Sequence, residues 1–115
     1  MKLGDVEYST HQGAVIARLT GEVDLSNAES IGGALAEATP NRSLALVLDL
    51  SGVEYLDSAG IRMIFQLRGK LRARGQALWL VVPLPSAAND TLRLAGVQRH
   101  IKTIETVDDA LRNLQ

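Results

Sequence analysis

A continuous apolar run, Leu44–Leu48, constrains the fold of this chain more than any other segment. It is bounded by polar residues and is too short for a typical helix, so it predicts a strand that is buried on both faces. Strands of this kind are usual in parallel sheets with helices on their faces. A second such run, Ala77–Val82, ends at Pro83 and predicts a second buried strand. Together they indicate an α/β protein.

Helices and shorter strands are predicted around these two runs. The longest helix extends from Ser58 to Arg74, and Gly75 provides its C-cap. Ser26 and Glu29 have the spacing of a capping box at the start of an earlier helix. The other predicted elements are a hairpin (Val6–Thr10 and Ala14–Leu19, with a turn at His11–Gly13), a loop at Thr20–Asp24, a helix from Ser86 to Ala95, a strand at Ile101–Ile104 and a final helix capped by Thr106.

The predicted order is β-β-α-β-α-β-α-β-α. This order predicts a mixed, mostly parallel central sheet flanked by helices, with the opening hairpin as an antiparallel edge. The length of 115 residues fits a single domain over residues 1–115. No apolar signal segment begins the chain, and no run approaches the ~18 apolar residues of a membrane span. We therefore expect a cytoplasmic protein without direct membrane insertion.

Composition excludes several classes of function. Twelve Lys and Arg against thirteen Asp and Glu give a net charge of -1, which excludes nucleic-acid binding by bulk electrostatics. There is no cysteine, so disulfides, thiolate catalysis and Cys-ligated metals are excluded. His11 and His100 are the only histidines and lack carboxylates at ligand spacing, so we interpret both as surface or strand-end residues. No phosphate-binding glycine loop occurs, and no metal or other cofactor is predicted.

The segment from Asp49 to Phe65 is the most informative for function, because it joins the first buried strand to the longest helix. Sites in open α/β sheets favour the carboxyl ends of the strands. Asp57 or Ser58 is the expected N-cap, which places the Ser58 hydroxyl at the positive end of the helix dipole. The alternative is that these two residues cap the helix and do nothing else.

The longest helix has two stripes of residues. The expected core stripe is Gly60, Ile64, Leu67 and Leu71. A second stripe on the flank is Ser58, Ile61, Arg62 and Phe65. An apolar patch beside a capping serine suits a protein–protein interface with Phe65 as an aromatic anchor. The alternative is that the terminal helix covers Ile61 or Phe65.

Two segments, Leu19-Thr-Gly-Glu-Val-Asp24 and Leu46-Val-Leu-Asp-Leu-Ser-Gly-Val-Glu-Tyr-Leu-Asp-Ser-Ala-Gly60, resemble the anti-sigma factor antagonist (anti-anti-sigma factor) family of small bacterial STAS domains. The resemblance extends over nearly the whole chain and includes Gly75 and the Leu94-Ala-Gly-Val97 element. The joint occurrence of the Asp-Ser-x-Gly turn and the upstream Thr-Gly-Glu-x-Asp loop makes it specific. The fold that it implies agrees with the predicted element order.

The resemblance implies a regulator rather than an enzyme. Members of the family bind a serine protein kinase that is also an anti-sigma factor, and so release the sigma factor for RNA polymerase. The kinase inactivates its antagonist by phosphorylating the serine of the Asp-Ser-x-Gly turn, here Ser58, and a phosphatase removes the phosphate. Some members have a second serine where this chain has Ala59, so Ser58 is the only hydroxyl in the turn.

The surroundings of Ser58 are expected to be acidic because of Glu22, Asp24, Glu54 and Asp57. Asp24 and Asp57 are candidates for orienting Ser58 in the kinase complex, unless they only cap and hold loops. A phosphate on Ser58 is expected to be accepted by the helix N-terminus and repelled at the interface. The predicted partner-binding residues are Glu22, Asp24, Asp57, Ser58, Ala59, Gly60, Ile61, Arg62 and Phe65.

Two other classes of function are less consistent with this sequence. The first is a non-switching interaction subunit, such as a STAS partner of a transporter ATPase or of a stress-signalling scaffold. The presence of Ser58 disfavours it, because the resemblance implies a residue that cannot be phosphorylated in such relatives. The second is a serine hydrolase using Ser58 and His100, which the absence of a nucleophile-elbow motif disfavours.

Overall fold

Five strands form one sheet in sequence order in the computed structural model, which describes residues 5–114. They are β1 (Asp5–His11), β2 (Ala14–Val23), β3 (Ala45–Leu56), β4 (Ala77–Val81) and β5 (Lys102–Ile104). β1 pairs with β2 in antiparallel orientation, whereas each later pair of neighbours is parallel. The mixed, mostly parallel sheet with an antiparallel edge is therefore confirmed.

The helices follow the strands in the predicted order. They are α1 (Ala28–Glu37), α2 (Ser58–Ala73), α3 (Ala87–Leu94) and α4 (Val107–Asn113), with a short 3₁₀ turn at Val97–Arg99 that was not predicted. The side chain of Ser86 accepts a hydrogen bond from the N–H of Asn89, and that of Thr106 accepts one from Asp109. Both predicted caps are thus confirmed. Gly75 follows α2 with a φ of 74°, which few residues other than glycine adopt easily.

Alternate residues of β3 point to two separate apolar clusters, one on each face of the sheet. Leu46 and Leu48 belong to the larger cluster with the core residues of α1, α2 and α3. Val47 belongs to a smaller cluster with Ala110 of α4. α4 therefore packs on the face opposite α2. The alternative in which the terminal helix covers Ile61 or Phe65 is wrong, because both pack against the larger cluster.

The predicted boundaries of β2 and β3 are too short. β2 continues to Val23 through the segment that was expected to be a loop, and β3 continues past Leu48 to Leu56. The two strands remain paired through register shifts near Thr20 and Gly21. A Cβ atom on Gly52 would lie 2.7 Å from Cγ2 of Thr20, so a glycine is needed where the strands approach each other. This long pairing places the ends of β2 and β3 side by side.

Candidate functional site

Asp24 and Asp57 are the first residues beyond two adjacent parallel strands. Val23 and Leu56 occupy the last paired position, and the N–H of Asp57 donates to the carbonyl of Val23 at 3.3 Å. The two carboxylates line one shallow depression, whose other residues are Leu25, Ser26 and Tyr55. The site therefore lies at the carboxyl ends of the strands, where ligands and partners of α/β sheets usually bind.

Asp57 is the N-cap of α2, and Ser58 is its first helical residue. Oδ1 of Asp57 accepts hydrogen bonds from the N–H groups of Ala59 (2.9 Å) and Gly60 (3.2 Å). Ser58 is exposed, and no residue in the described range 5–114 hydrogen-bonds to its hydroxyl. The structure thus assigns the capping role to Asp57. The hydroxyl of Ser58 is left accessible at the start of the helix.

The loop that carries Asp24 is held by its own side chains. Oδ1 of Asp24 accepts hydrogen bonds from the N–H of Ser26 (2.9 Å) and from its hydroxyl (2.6 Å). Asn27 accepts one from the N–H of Asp24 (2.9 Å), and its Nδ2 donates to the carbonyl of Glu22 (2.9 Å). The predicted capping box of Ser26 and Glu29 is therefore wrong, because the Ser26 hydroxyl is bound to Asp24. Asn27, at the N-cap of α1, was not singled out from the sequence.

Gly60 positions the start of α2 rather than forming part of its surface. It is buried, and a Cβ atom on it would lie 2.3 Å from Cδ1 of Leu56 and 3.2 Å from Cγ1 of Val23. The structure thus places it in the core stripe, which is confirmed, whereas its predicted part in partner binding stays a prediction. Its missing side chain lets the helix lie directly on the two strand ends that carry Asp24 and Asp57.

The flank stripe of α2 combines half-buried apolar residues with exposed polar ones. Ile61 and Phe65 are half-buried against the larger cluster, as is Ala59. The ring of Phe65 meets that of His100 edge-on, with centroids 5.8 Å apart. Arg62 is exposed and forms no ion pair with any described residue. Ser58 and Arg62 are therefore the most accessible members of the stripe.

Two exposed apolar side chains beside the carboxylates were missed from the sequence. Leu25 is 79% exposed and Tyr55 is 49% exposed, and both line the depression of Asp24 and Asp57. Tyr55 would have been found from the sequence if β3 had been predicted to continue to Leu56. In that part of the strand, Glu54 and Tyr55 are exposed between buried Val53 and Leu56. Leu25 and Tyr55 therefore give the depression an exposed, partly apolar lining beside its two carboxylates.

The site has none of the arrangements expected of a hydrolase or a metal centre. His100 contacts Phe65 and forms no hydrogen bond to Ser58, so the pair lacks the geometry of a nucleophile and its base. Within residues 5–114, no group of three acidic or histidine side chains is placed to hold a metal ion. No helix in the same range is long and apolar enough to span a membrane.

Comparisons with known proteins agree on one family. The sequence model described as the STAS domain matches residues 5–110. The anti-sigma-F factor antagonist RsfB of Mycobacterium tuberculosis is 30% identical over 111 residues, which are 96% of this chain and 88% of that protein.

Two solved structures show the same fold. An anti-sigma factor antagonist from Mycobacterium paratuberculosis superposes with a TM-score of 0.84 and 26% identity over 96% of this chain and 93% of that one. An anti-sigma-factor antagonist (STAS) domain protein from Planctomyces limnophilus has a TM-score of 0.79 and 15% identity, over 99% of this chain and 100% of that one.

Proposed function

This chain belongs to the STAS domain family, and we propose that it is an anti-sigma factor antagonist whose activity is switched at Ser58. The partner is an anti-sigma factor that is also a serine protein kinase. Binding of this chain releases the sigma factor, phosphorylation of Ser58 ends the binding, and a phosphatase restores it. The names of the relatives support the first part of the proposal, and the geometry of Ser58 supports the second.

The observation that carries the proposal is the accessible hydroxyl of Ser58 at the start of α2. Because Asp57 caps the helix, Ser58 is not needed to hold α2 in place. A kinase can therefore modify the hydroxyl without first breaking a structural hydrogen bond. The carboxylates of Asp24 and Asp57 are fixed at the neighbouring strand ends and are suited to orienting Ser58 in the complex.

A phosphate on Ser58 acts on binding through charge. The N–H groups of Ala59 and Gly60 already bind Asp57, so the helix N-terminus cannot accept the phosphate as freely as the sequence suggested. Asp24 and Asp57, which line the depression beside the start of α2, add negative charge near it. A dianion in these surroundings must lose water against the partner, which costs about 3 kcal/mol or more and corresponds to over ~100-fold in affinity.

The test uses a purified anti-sigma factor kinase from the source organism. We expect ATP to place one phosphate on Ser58, as located by mass spectrometry, and none on Ser58→Ala. Ser30→Ala, an exposed serine on α1, is the matched control and should be phosphorylated like the wild type. Isothermal titration should show that the phosphorylated form binds over ~100-fold more weakly than the plain form. Equal affinities would favour a non-switching interaction subunit.

A further inference from the structure

A groove between α1 and α2 begins at Ala59, next to Ser58 at the start of α2. Both helices connect parallel strands, so both start at the same edge of the sheet and run side by side. The groove has a volume of about 330 Å³ and is lined along its length by Leu25, Gly32, Gly33, Met63, Gln66 and Lys70. Leu25 also lines the depression of Asp24 and Asp57, so the two surfaces are continuous.

We propose that this groove receives an apolar segment of the same partner that binds at Ser58, with an acidic side chain of that segment facing Arg62 and Lys70. The inference rests on the proposed function and extends it along the two helices. Three features of the groove support it: a glycine that packing does not require, the opposite charges of its two walls, and an exposed leucine at its mouth.

Two adjacent glycines of α1 have different explanations. A Cβ atom on Gly32 would lie 2.8 Å from Cγ of Met63, so Gly32 lets the two helices pack closely. A Cβ atom on Gly33 would meet nothing within 4 Å. Glycine is disfavoured inside a helix relative to alanine, and packing within this chain does not require a glycine at position 33. Unlike Gly69, which is equally uncrowded, Gly33 lines the groove, and its missing side chain leaves the groove open at this point.

The two walls of the groove carry opposite charges. Glu29 lies on its wall near the Ser58 end, where Asp24 and Asp57 are also close. Arg62 and Lys70 lie on the α2 wall and pair with no carboxylate in the described part of the chain. An occupant that complements these walls carries acidic residues facing α2 and a basic residue facing Glu29 of α1.

The apolar residues that line the groove indicate which side chains the occupant presents to it. Ala28, Met63 and Leu67 line the groove, and Leu25 is 79% exposed at its mouth. Burial of Leu25 against an apolar side chain of the partner would remove this leucine from water, which favours binding. An amphipathic helix with small or aliphatic residues on one face meets these requirements.

The experiment fills the groove and measures binding to the kinase used in the Ser58 test. Gly33→Leu places a side chain in the groove and should weaken binding at least tenfold in isothermal titration, without lowering the midpoint of unfolding. Ala34→Leu is the matched control, because Ala34 is the next residue of α1 and is exposed outside the groove lining. It should bind like the wild type. Lys70→Glu should weaken binding independently of any change in groove volume.

The outcomes separate the two proposals. If the wild type binds the kinase in a Ser58-dependent manner while Gly33→Leu and Lys70→Glu bind as tightly as it does, the groove proposal is wrong and the proposed function stands. Equal losses for Gly33→Leu and Ala34→Leu would also overturn it. If the wild type does not bind an anti-sigma factor kinase at all, the proposed function fails and the groove proposal fails with it.

Discussion

Gly60 lies so close to Leu56 that a Cβ atom on the glycine would be 2.3 Å from Cδ1 of the leucine. Leu56 is 4% exposed and Val23 is fully buried, so a shift of either side chain would have to be accommodated inside the packed core. We therefore expect Gly60→Ala to lower the free energy of unfolding by about 1–3 kcal/mol through overpacking. Denaturant titration measures this change.

Gly69 provides the matched control, because it lies in the same helix and a Cβ atom on it would meet nothing within 4 Å. Gly69→Ala should raise the free energy of unfolding by up to about 1 kcal/mol, since alanine has the higher helix propensity. If both variants were stabilised, Leu56 would not restrict residue 60, and the contact between α2 and the strand ends would be looser than described.

Asp57 and Ser58 are expected to differ in their contribution to stability. Asp57→Ala removes the acceptor of two hydrogen bonds at the start of α2 and should cost about 1 kcal/mol. Ser58→Ala removes a hydroxyl without a partner among residues 5–114 and should change the stability by less than ~0.5 kcal/mol. Thermal or denaturant unfolding of the two variants tests this ranking. A greater loss for Ser58→Ala would reassign the cap.

Local patterns in the sequence were sufficient to predict the element order and the core face of α2. The run Leu44–Leu48 is apolar enough to indicate a buried strand by itself, and Ser86 and Thr106 cap helices that follow them directly. Gly60 and Ile64 recur at the spacing of one helix face. Each of these predictions depends on residues that are close in the chain.

Features that depend on distant residues could not be predicted in the same way. β2 continues beyond Gly21 because β3 pairs with it through a register shift, and a pattern within β2 does not show this. Ser26 has the spacing of a cap, but its hydroxyl binds Asp24, whose N–H is in turn bound by Asn27. The position of α4 on the face opposite α2 depends on the side of the sheet to which the chain turns after β5. The spacing of apolar residues does not specify that side.

Phe65 should contribute to both stability and binding, because its ring is half-buried. Truncation of a fully buried phenylalanine costs about 3–5 kcal/mol, so we expect Phe65→Ala to cost about 2 kcal/mol in the free energy of unfolding. His100→Ala removes only the edge-on ring contact and should cost about 0.5–1 kcal/mol. Unfolding experiments measure both values.

Binding of the kinase separates the two contributions of Phe65. The loss of an aromatic anchor weakens an interface by about 2 kcal/mol, and Phe65→Ala should show this loss under conditions where it is still folded. His100→Ala, which leaves the phenyl ring in place, should bind within a few-fold of the wild type. An unchanged affinity of folded Phe65→Ala would remove this residue from the partner surface.

Arg62 is placed to interact with a phosphate on Ser58, because residues four apart share one face of a helix. A nearby cation favours the dianionic form, so Arg62 should lower the second pKa of the phosphate, which is otherwise near ~6. An exposed i, i+4 pair is worth about 0.3–0.5 kcal/mol, so Arg62→Gln should raise that pKa by about 0.3. Titration of the phosphoprotein by phosphorus NMR measures it.

Arg72→Gln is the control for this titration. Arg72 lies fourteen residues after Ser58 along α2, roughly 21 Å at the rise of a helix, which is beyond the Debye length of ~8–10 Å. Its replacement should leave the phosphate pKa unchanged. Because the charge of the phosphate falls as the pH drops through its pKa, the loss of kinase affinity should be relieved at a higher pH in Arg62→Gln than in the wild type. If both arginine variants titrate like the wild type, Arg62 does not act on the phosphate, and the neighbouring carboxylates determine its charge.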